Sequence, residues 1–396
     1  MTKTITLISN SPGEVATFVR PVATVLGQRH PEWRLELALV PCPYATGAEA
    51  AVVRSWGLFD EVWSPTQTVW RWLRGRPSTA GAVLFLGGDP WHALLLKRRF
   101  KVPCVAYFAQ PSPWQKTRWL GGFERVVTGY PHERSQDPQL YSVGDLRVDA
   151  VRAQLKGYVS AKTSQALTLA VFPGSRWLHL KASLGPFLHT IQQLKTLRPE
   201  LRVIMSVSPF VSREQLAEAA ANPFPLGLSV TRGVVSDEQL HTPDGASVEL
   251  VWGDPYRVIA ECDLALSLPG TNTAELAIGG KPTVVPLSDR VPIGGGGLLG
   301  LLDRLPGFAK LKHRLKYRKY RKLRLLALPN QLAGEQIMPE FFVRDDLRDL
   351  VDFLHELLDD APRRRAIGEQ AKKVMGPPGA AERLVDLVET LSLETG

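Results

Sequence analysis

Residues 262–286 read CDLALSLPGTNTAELAIGGKPTVVP, and this stretch decides the fold class. An apolar run over 264–268 ends at a Pro-Gly pair, and polar residues then open a helical segment that stops at Gly279. The pattern predicts a buried parallel strand, a tight turn and a helix. The first turn of such a helix has unpaired backbone N–H groups and the positive end of the helix dipole. It therefore suits an anion such as a diphosphate.

The polar residues of this turn form the first candidate ligand set: Gly270, Thr271, Asn272, Thr273 and Glu275. Glu275 lies about one helical turn in, where a carboxylate can accept hydrogen bonds from the diol of a ribose. A nucleoside diphosphate contains both a diphosphate, for the helix start, and a ribose diol, for Glu275. The alternative is an ordinary strand–helix turn capped by Thr271.

A second turn of the same kind lies upstream. The predicted strand Leu167–Phe172 runs into Gly174, Ser175 and Arg176, and a helix is predicted over 180–197. Arg176 would add a planar, always charged donor to a phosphate that backbone N–H groups already hold. The alternative is a surface arginine in a turn.

The first half of the chain alternates short apolar runs with helical stretches, which is typical of a doubly wound parallel sheet. The predicted strands there are Thr4–Ser9, Leu35–Pro41, Val83–Gly87 and Val102–Phe108. We expect an amphipathic helix over 15–29. In open α/β sheets ligands bind at the carboxyl ends of the strands.

Two carboxylates follow strands of this first half, Glu14 and Asp89. We predict that Asp89 faces the ligand, with helix N-capping as the alternative role. Trp114, beside cationic residues, is a candidate for holding a sugar face or an apolar tail, and packing at the domain edge is its alternative.

Composition bounds the class of protein. The chain has 396 residues, 44% of them hydrophobic, enough for two α/β domains. A polar stretch over 148–164 predicts the interdomain connection. The expected domains are 1–158 and 165–375, the second with an insert over 290–324, and a last helix lies within 379–396.

Three cysteines without CxxC spacing and a strand pattern that starts at once predict a cytoplasmic protein. Eight scattered histidines predict no metal site.

The net charge of +9 is concentrated in one segment. Residues 310–324 contain nine Lys or Arg and no acid, after a glycine- and leucine-rich run that starts at 294. This combination predicts contact with an anionic bilayer surface through Lys316, Arg318, Lys319, Arg321 and Lys322. A solvated helix face is the alternative, and nucleic-acid binding ranks lower because no reading module accompanies the cations.

Seven motifs in register resemble one family, the lipid-A-disaccharide synthases and more closely their related-protein branch. The motifs are PGE at 12–14, GGD at 87–89, VAYFAQPSPW at 105–114, VGDLRVD at 143–149, FPGSR at 172–176, PGTNTAE at 269–275 and LPNQLAGEQIMPEFF at 328–342. They cover most of the chain.

The resemblance implies a GT-B fold, in which two Rossmann-like, doubly wound domains face a central cleft. It implies transfer of a sugar from a UDP-sugar to a membrane lipid-linked acceptor, with inversion and without a bound metal or other cofactor. By analogy Asp89 matches the general base and Glu14 lies near the reacting sugars. Arg176, Glu275 and Asn330 match residues around the UDP. A peripheral protein on the inner face of the membrane, and a homodimer, are also implied.

Three departures from the family pattern are visible. Val15 and the residues after it replace the family's Ser-Gly-Asp continuation, Pro269 replaces a serine, and His179 replaces a glutamate. Two other functions compete with the glycosyltransferase. One is a UDP-sugar epimerase, since that chemistry also uses two Rossmann-like domains. The other is a non-catalytic module that binds membrane surfaces or nucleic acid.

Overall fold

The computed structural model describes residues 2–10, 12–41, 47, 49–74, 81–109, 120–130, 139–158, 166–174, 177–224, 227–288, 325–343 and 346–394. The chain forms two compact units. Unit 1 comprises Met1–Arg152 and Gly376–Gly396, and unit 2 comprises Ala153–Met375.

Unit 1 is built on a parallel sheet of seven strands in the order β3-β2-β1-β4-β5-β6-β7. The strands are β1 (Thr4–Ser9), β2 (Arg34–Leu39), β3 (Glu61–Trp63), β4 (Gly81–Phe85), β5 (Cys104–Phe108), β6 (Arg125–Thr128) and β7 (Leu140–Ser142). After β1 the chain forms β2 and β3 on one side of that strand, and β4 then pairs with β1 on its other side. The carboxyl ends of β1 and β4 therefore form the switch point at which open α/β sheets bind ligands.

The helices of unit 1 cover both faces of this sheet. They are α1 (Pro12–Glu14), α2 (Arg20–Arg29), α3 (Glu49–Ser55), α4 (Pro65–Arg74), α5 (Pro90–Phe100), α6 (Leu146–Leu155, which crosses the unit boundary) and α14 (Ala380–Glu394). Apolar side chains of α2 and α14 pack on one face, and those of α5 pack on the other. Each fully buried leucine here stabilises the unit by about 1.5–3 kcal/mol.

The last helix, α14, belongs to the core of unit 1. Its residues Leu384 and Val388 are fully buried in one cluster with Ile5 of β1. Two hydrogen bonds hold its start, because the carboxylate of Asp149 accepts from the backbone N–H groups of Gly379 and Ala381 at 2.6 and 2.8 Å. The C-terminal helix therefore forms part of the apolar core that covers the sheet of unit 1.

Unit 2 is built on eight strands in the order β10-β11-β12-β9-β8-β13-β14-β15. They are β8 (Thr168–Phe172), β9 (Arg202–Val207), β10 (Val234–Ser236), β11 (Gln239–His241), β12 (Ser247–Trp252), β13 (Leu264–Ser267), β14 (Thr283–Leu287) and β15 (Glu340–Phe342). The β10–β11 and β11–β12 pairs are antiparallel, and the other pairs are parallel. The switch point of this sheet lies between β8 and β13.

Helices pack on unit 2 with a large apolar core. They are α7 (Trp177–Leu197), α8 (Arg213–Ala221), α9 (Pro255–Glu261), α10 (Thr271–Ile278), α11 (Leu328–Ala333), α12 (Arg348–Asp359) and α13 (Ala361–Met375). The central strand and helix predicted from 262–286 are confirmed as β13 and α10.

The stretch over 148–164, predicted as the interdomain connection, contains the boundary between the two units and begins within α6, whose Val151 is buried. One prediction about secondary structure was wrong in part. The helix expected over 15–29 is interrupted, because Val15–Val19 forms a π-helix in which the N–H of Arg20 bonds to the carbonyl of Val15. The hydroxyl of Thr17 also donates to the carbonyl of Gly13 at 2.6 Å, drawing on a carbonyl of the preceding turn.

Candidate active site

In unit 1 the two predicted carboxylates lie at the switch point. Glu14 ends the short α1 that follows β1, and Asp89 stands four residues after the end of β4. β1 and β4 pair in parallel register, with Ile8 beside Phe85. Both side chains therefore come from the carboxyl edge of the same pair of central strands.

Close approach of the two loops depends on the glycines of the GGD motif. A Cβ atom on Gly87 would lie 2.4 Å from Glu14 Oε2 and 3.0 Å from Ser9 Oγ. The Glu14 carboxylate thus packs directly on the backbone of the β4 loop. Gly88 has φ +94°, a left-handed conformation that glycine adopts without strain, and the motif needs it there.

Asp89 combines the two roles that the sequence left open. Its Oδ1 caps α5 by accepting a hydrogen bond from the N–H of Trp91 at 3.1 Å. The residue is nevertheless exposed. The cap fixes the orientation of the carboxylate, and its exposure leaves it accessible to a ligand hydroxyl.

Two side chains beside these carboxylates were missed from the sequence. Ser9, the last residue of β1, is fully buried, and its Oγ has no hydrogen-bond partner within the described part of the chain. His92 stacks on Trp72, and burial lowers the pKa of its imidazole, opposed by the charge of Asp89. In the sequence, the only feature that indicates a role for Ser9 in the site is its position at the end of a predicted strand.

A buried ionic cluster holds the loops after β6 and β7 together. Asp145 is fully buried and accepts from the hydroxyl of Tyr130 at 2.6 Å and from Nε of Arg147 at 2.8 Å. Burial, reinforced by Asp145, raises the pKa of Tyr130 far above its ordinary value. The VGDLRVD motif therefore contributes structure at this edge of unit 1.

In unit 2 the two glycine turns are neighbours at the second switch point. The N–H of Leu268 bonds to the carbonyl of Phe172 at 3.2 Å. A Cβ on Gly174, whose φ is +97°, would lie 3.4 Å from Leu268 Cδ1 and 3.3 Å from the Cβ of His179. The loops after β8 and β13 thus meet, with His179 beside them.

Among the described residues, no side chain caps the start of α10. Gly270 is the N-cap, with φ 154°. The capping role considered for Thr271 is therefore absent, and Thr271 is exposed at the helix start. The first-turn N–H groups keep the orientation that binds an anion.

The remaining α10 candidates differ in accessibility. Asn272 is partly buried, whereas Thr273 and Glu275 are buried. The hydroxyl of Thr273 donates to the carbonyl of Gly270 at 2.7 Å, so Thr273 shapes the turn. At the start of the helix, Thr271 and Asn272 are therefore the accessible members of the candidate ligand set.

Asn330 is used within its own loop. It is fully buried, its Nδ2 donates to the carbonyl of Met338 at 2.7 Å and to Glu340 at 2.9 Å, and its Oδ1 accepts the N–H groups of Ile337 and Met338. Glu340 also accepts from the backbone of Leu326 at 2.9 Å. Asn330 therefore holds its own loop in position, and the UDP contact that the resemblance implied stays a prediction.

Several predicted residues lie outside the described part of the chain. They are Ser175, Arg176, Trp114, Lys316, Arg318, Lys319, Arg321 and Lys322. Within the described ranges, no group of three His, Cys, Asp or Glu side chains is arranged to hold a metal ion. No described helix combines the length and apolar character needed to cross a membrane.

Comparison with solved structures bears on the fold. A UDP-GlcNAc 2-epimerase from Neisseria meningitidis, solved with UDP-GlcNAc, superimposes with a TM-score of 0.56 at 10% identity, covering 98% of this chain and 100% of that one. A glycosyltransferase from Rickettsia africae gives a TM-score of 0.50 at 12% identity, covering 98% of each chain. Both similarities confirm the predicted fold class, with one doubly wound α/β sheet in each unit.

Comparison of sequences bears on the family. A family model described as lipid-A-disaccharide synthetase matches residues 145–289. The lipid-A-disaccharide synthase of Anaeromyxobacter dehalogenans (strain 2CP-C) is 24% identical over 379 residues, covering 93% of this chain and 78% of that protein. The enzyme of Pseudomonas aeruginosa PAO1 is 29% identical over 226 residues, covering 56% of this chain and 49% of that protein. The resemblance predicted from the seven motifs is thus confirmed, since the chain is similar to lipid-A-disaccharide synthases, a family of UDP-sugar-dependent hexosyltransferases, over most of its length.

Proposed function

We propose that this protein transfers a sugar from a UDP-sugar to a hydroxyl of a lipid-linked acceptor, with inversion at the anomeric carbon. One observation carries the proposal. Every predicted catalytic or nucleotide-binding residue that the structure describes, apart from Asn330, comes from a loop or helix start at a sheet's switch point. Glu14 and Asp89 stand at that of unit 1, and Gly174 and the start of α10 at that of unit 2. Switch points are where open α/β sheets bind their ligands.

In the proposed reaction Asp89 acts as the general base of unit 1. Its carboxylate takes the proton of the acceptor hydroxyl as the oxygen forms a bond to the anomeric carbon. The bond from that carbon to the diphosphate oxygen breaks on the opposite side, and UDP leaves with both bonding electrons. Glu14, held against Gly87, binds the reacting sugars from the same edge.

Unit 2 is proposed to bind the UDP. The uncapped start of α10, with Thr271 and Asn272 accessible, faces the diphosphate as negative charge builds on it. Ser175 and Arg176 belong to the same proposal on sequence grounds. Fixed donors of this kind contribute about 10²–10³ in rate each. Glu275 is proposed to act at the ribose side of the turn.

The identity of the sugar and acceptor is the subject of the first test. Purified protein is incubated with a panel of UDP-sugars, with and without total lipid extract, and released UDP is measured. Lipid-dependent release supports the transferase, and the product lipid identifies the acceptor. Conversion of UDP-GlcNAc into an epimer without lipid-dependent release would instead support the epimerase.

Three further properties belong to the proposal. The cations over 310–324 are proposed to attract the protein to the anionic inner face of the membrane. Because a cytoplasmic, peripheral location follows from that attraction, fractionation of cells with and without high salt tests it. A homodimer is tested by the mass measured in light scattering.

A further inference from the structure

Polar side chains at the end of β1 pack against the two glycines of the GGD motif. A Cβ on Gly87 would lie 2.4 Å from Glu14 Oε2 and 3.0 Å from Ser9 Oγ. A Cβ on Gly88 would lie 3.1 Å from both Cγ and Nδ2 of Asn10. The loop after β4 is therefore in close contact with three polar side chains that come from the other loop of the unit 1 switch point.

Ser9 and Glu14 are neighbours within this contact. Both oxygens lie close to one point on Gly87, so they can be no farther apart than the sum of those two distances. Ser9 is fully buried, and its Oγ has no hydrogen-bond partner in the described part of the chain. A hydroxyl that can donate thus lies beside a carboxylate that can accept, without a hydrogen bond between them.

The backbone of Ser9 is fixed by the sheet, whereas the side chain of Glu14 can move. The carbonyl of Ser9 accepts from the N–H of Val40 at 3.0 Å, and Ser9 pairs with Leu39 of β2. Its hydroxyl is left with the three staggered positions about the Cα–Cβ bond. Glu14 is partly exposed and has three side-chain torsions. Ser9 can therefore act as a fixed donor for a movable carboxylate.

A buried hydroxyl without a partner does not define a role by itself. Thr168, the first residue of β8, is 1% exposed, and its Oγ1 also lacks a partner among the described residues. Thr168 lies at the amino end of its strand, away from the edge where ligands bind. Ser9 differs because it ends β1 at the carboxyl edge and has a carboxylate beside it. Packing alone would be served by alanine, without the cost of burying a hydroxyl.

We propose that Ser9 positions Glu14 by donating its hydroxyl to the Glu14 carboxylate when a sugar occupies the site. The hydrogen bond fixes one carboxylate oxygen and leaves the other to accept from a hydroxyl of the sugar. Hydrogen bonds to an ionised group are about twice as strong as neutral ones, so this bond holds the orientation of the carboxylate. Ser9 acts only through Glu14, so its role rests on the proposed function of Glu14 at the reacting sugars.

The test is a double-mutant cycle of Ser9→Ala and Glu14→Ala, measured by lipid-dependent UDP release. Ser9→Ala alone should lower kcat by at least about tenfold, because a charge-assisted hydrogen bond is lost. The affinity for UDP should not change, since the nucleotide turns belong to unit 2. In the Glu14→Ala background, Ser9→Ala should cause no further loss, because the group through which it acts is already absent.

Thermal unfolding separates this positioning role from a structural one. Ser9→Ala removes a buried hydroxyl that lacks a partner, so its unfolding midpoint should not fall. The matched control is Thr168→Val, which removes the comparable hydroxyl at the amino edge of unit 2. This control should keep both the unfolding midpoint and the kcat of the unaltered protein.

Three results would overturn the inference. They are an unaltered kcat in Ser9→Ala, a loss that persists in the Glu14→Ala background, and a lower unfolding midpoint that accounts for the lost activity. The second result would mean that Ser9 acts on another group.

Failure of the transferase proposal would appear separately, as absent UDP release by the unaltered protein. The same four proteins are then compared by calorimetry for their affinities for UDP-GlcNAc and UDP. Ser9→Ala should weaken binding of UDP-GlcNAc but not of UDP, and only while Glu14 is present. Equal affinities for UDP-GlcNAc across the cycle would overturn the positioning role of Ser9 without any measurement of turnover.

Discussion

Replacing Gly87 by alanine tests whether the position of the Glu14 carboxylate matters for transfer. The added Cβ would meet Glu14 Oε2 at 2.4 Å and Ser9 Oγ at 3.0 Å. Gly87 is not in the left-handed region, so alanine adopts the backbone without strain. To restore ordinary contact, the carboxylate must move by about 1 Å, and displacements of that size at a reacting centre cost about 10²-fold in rate.

The expected result is a fall of about 10²-fold in kcat with a small loss of stability, since the group displaced is the end of a flexible side chain. UDP affinity should not change, because the nucleotide turns belong to unit 2. The measurements are lipid-dependent UDP release, titration of UDP and thermal unfolding. Gly121→Ala is the control, since its Cβ meets nothing within 4 Å. An unaltered kcat in Gly87→Ala would refute the assignment of Glu14 to the site.

Three further predictions concern stability. Asn330→Ala leaves two buried N–H groups without an acceptor, so denaturant titration should show a loss of about 3 kcal/mol in the free energy of unfolding; an unchanged midpoint would contradict its positioning role. Gly368→Ala places a Cβ 2.2 Å from the carbonyl oxygen of Gly280 and should cost about 2–3 kcal/mol, with Gly157→Ala, whose Cβ is unobstructed, as the neutral control. Burial lowers the pKa of His92, so the contribution of its neutral imidazole to the free energy of unfolding is present above the unfolded pKa of about 6.5 and is lost as pH falls through the lower folded pKa. His92→Gln should therefore reduce the loss of stability on acidification. A pH profile of stability identical to that of the unaltered protein would contradict this.

The central strands and the glycine turns could be predicted from sequence because buried parallel strands leave unbroken apolar runs. Leu264–Ser267 shows this, since the apolar run ends where Gly270 must turn. Short edge strands such as Val234–Ser236 were missed because three residues that are mostly exposed carry no hydrophobic pattern. The π-helix after Glu14 was missed because it depends on hydrogen bonds that hydrophobic spacing does not encode.

The candidate site was predictable in position but only partly in role. Asp89 was expected to bind ligand or to cap a helix, and the structure shows the cap together with an exposed carboxylate. The amide of Asn330 was assigned to UDP by resemblance, yet its partners are eight and ten residues further along the chain. A motif indicates which residues belong to one loop or turn. Only the structure shows whether their side chains are exposed at the site or buried within the loop itself.

The most direct test of the account compares Asp89→Asn with the unaltered protein. Asparagine also caps helices, so the variant should keep α5 and its stability while losing the base. The measurement is lipid-dependent UDP release beside UDP affinity. The account predicts that release falls by about 10²–10⁴-fold with unchanged affinity for UDP. Release at the unaltered rate would contradict the assignment of Asp89 as the base that activates the acceptor.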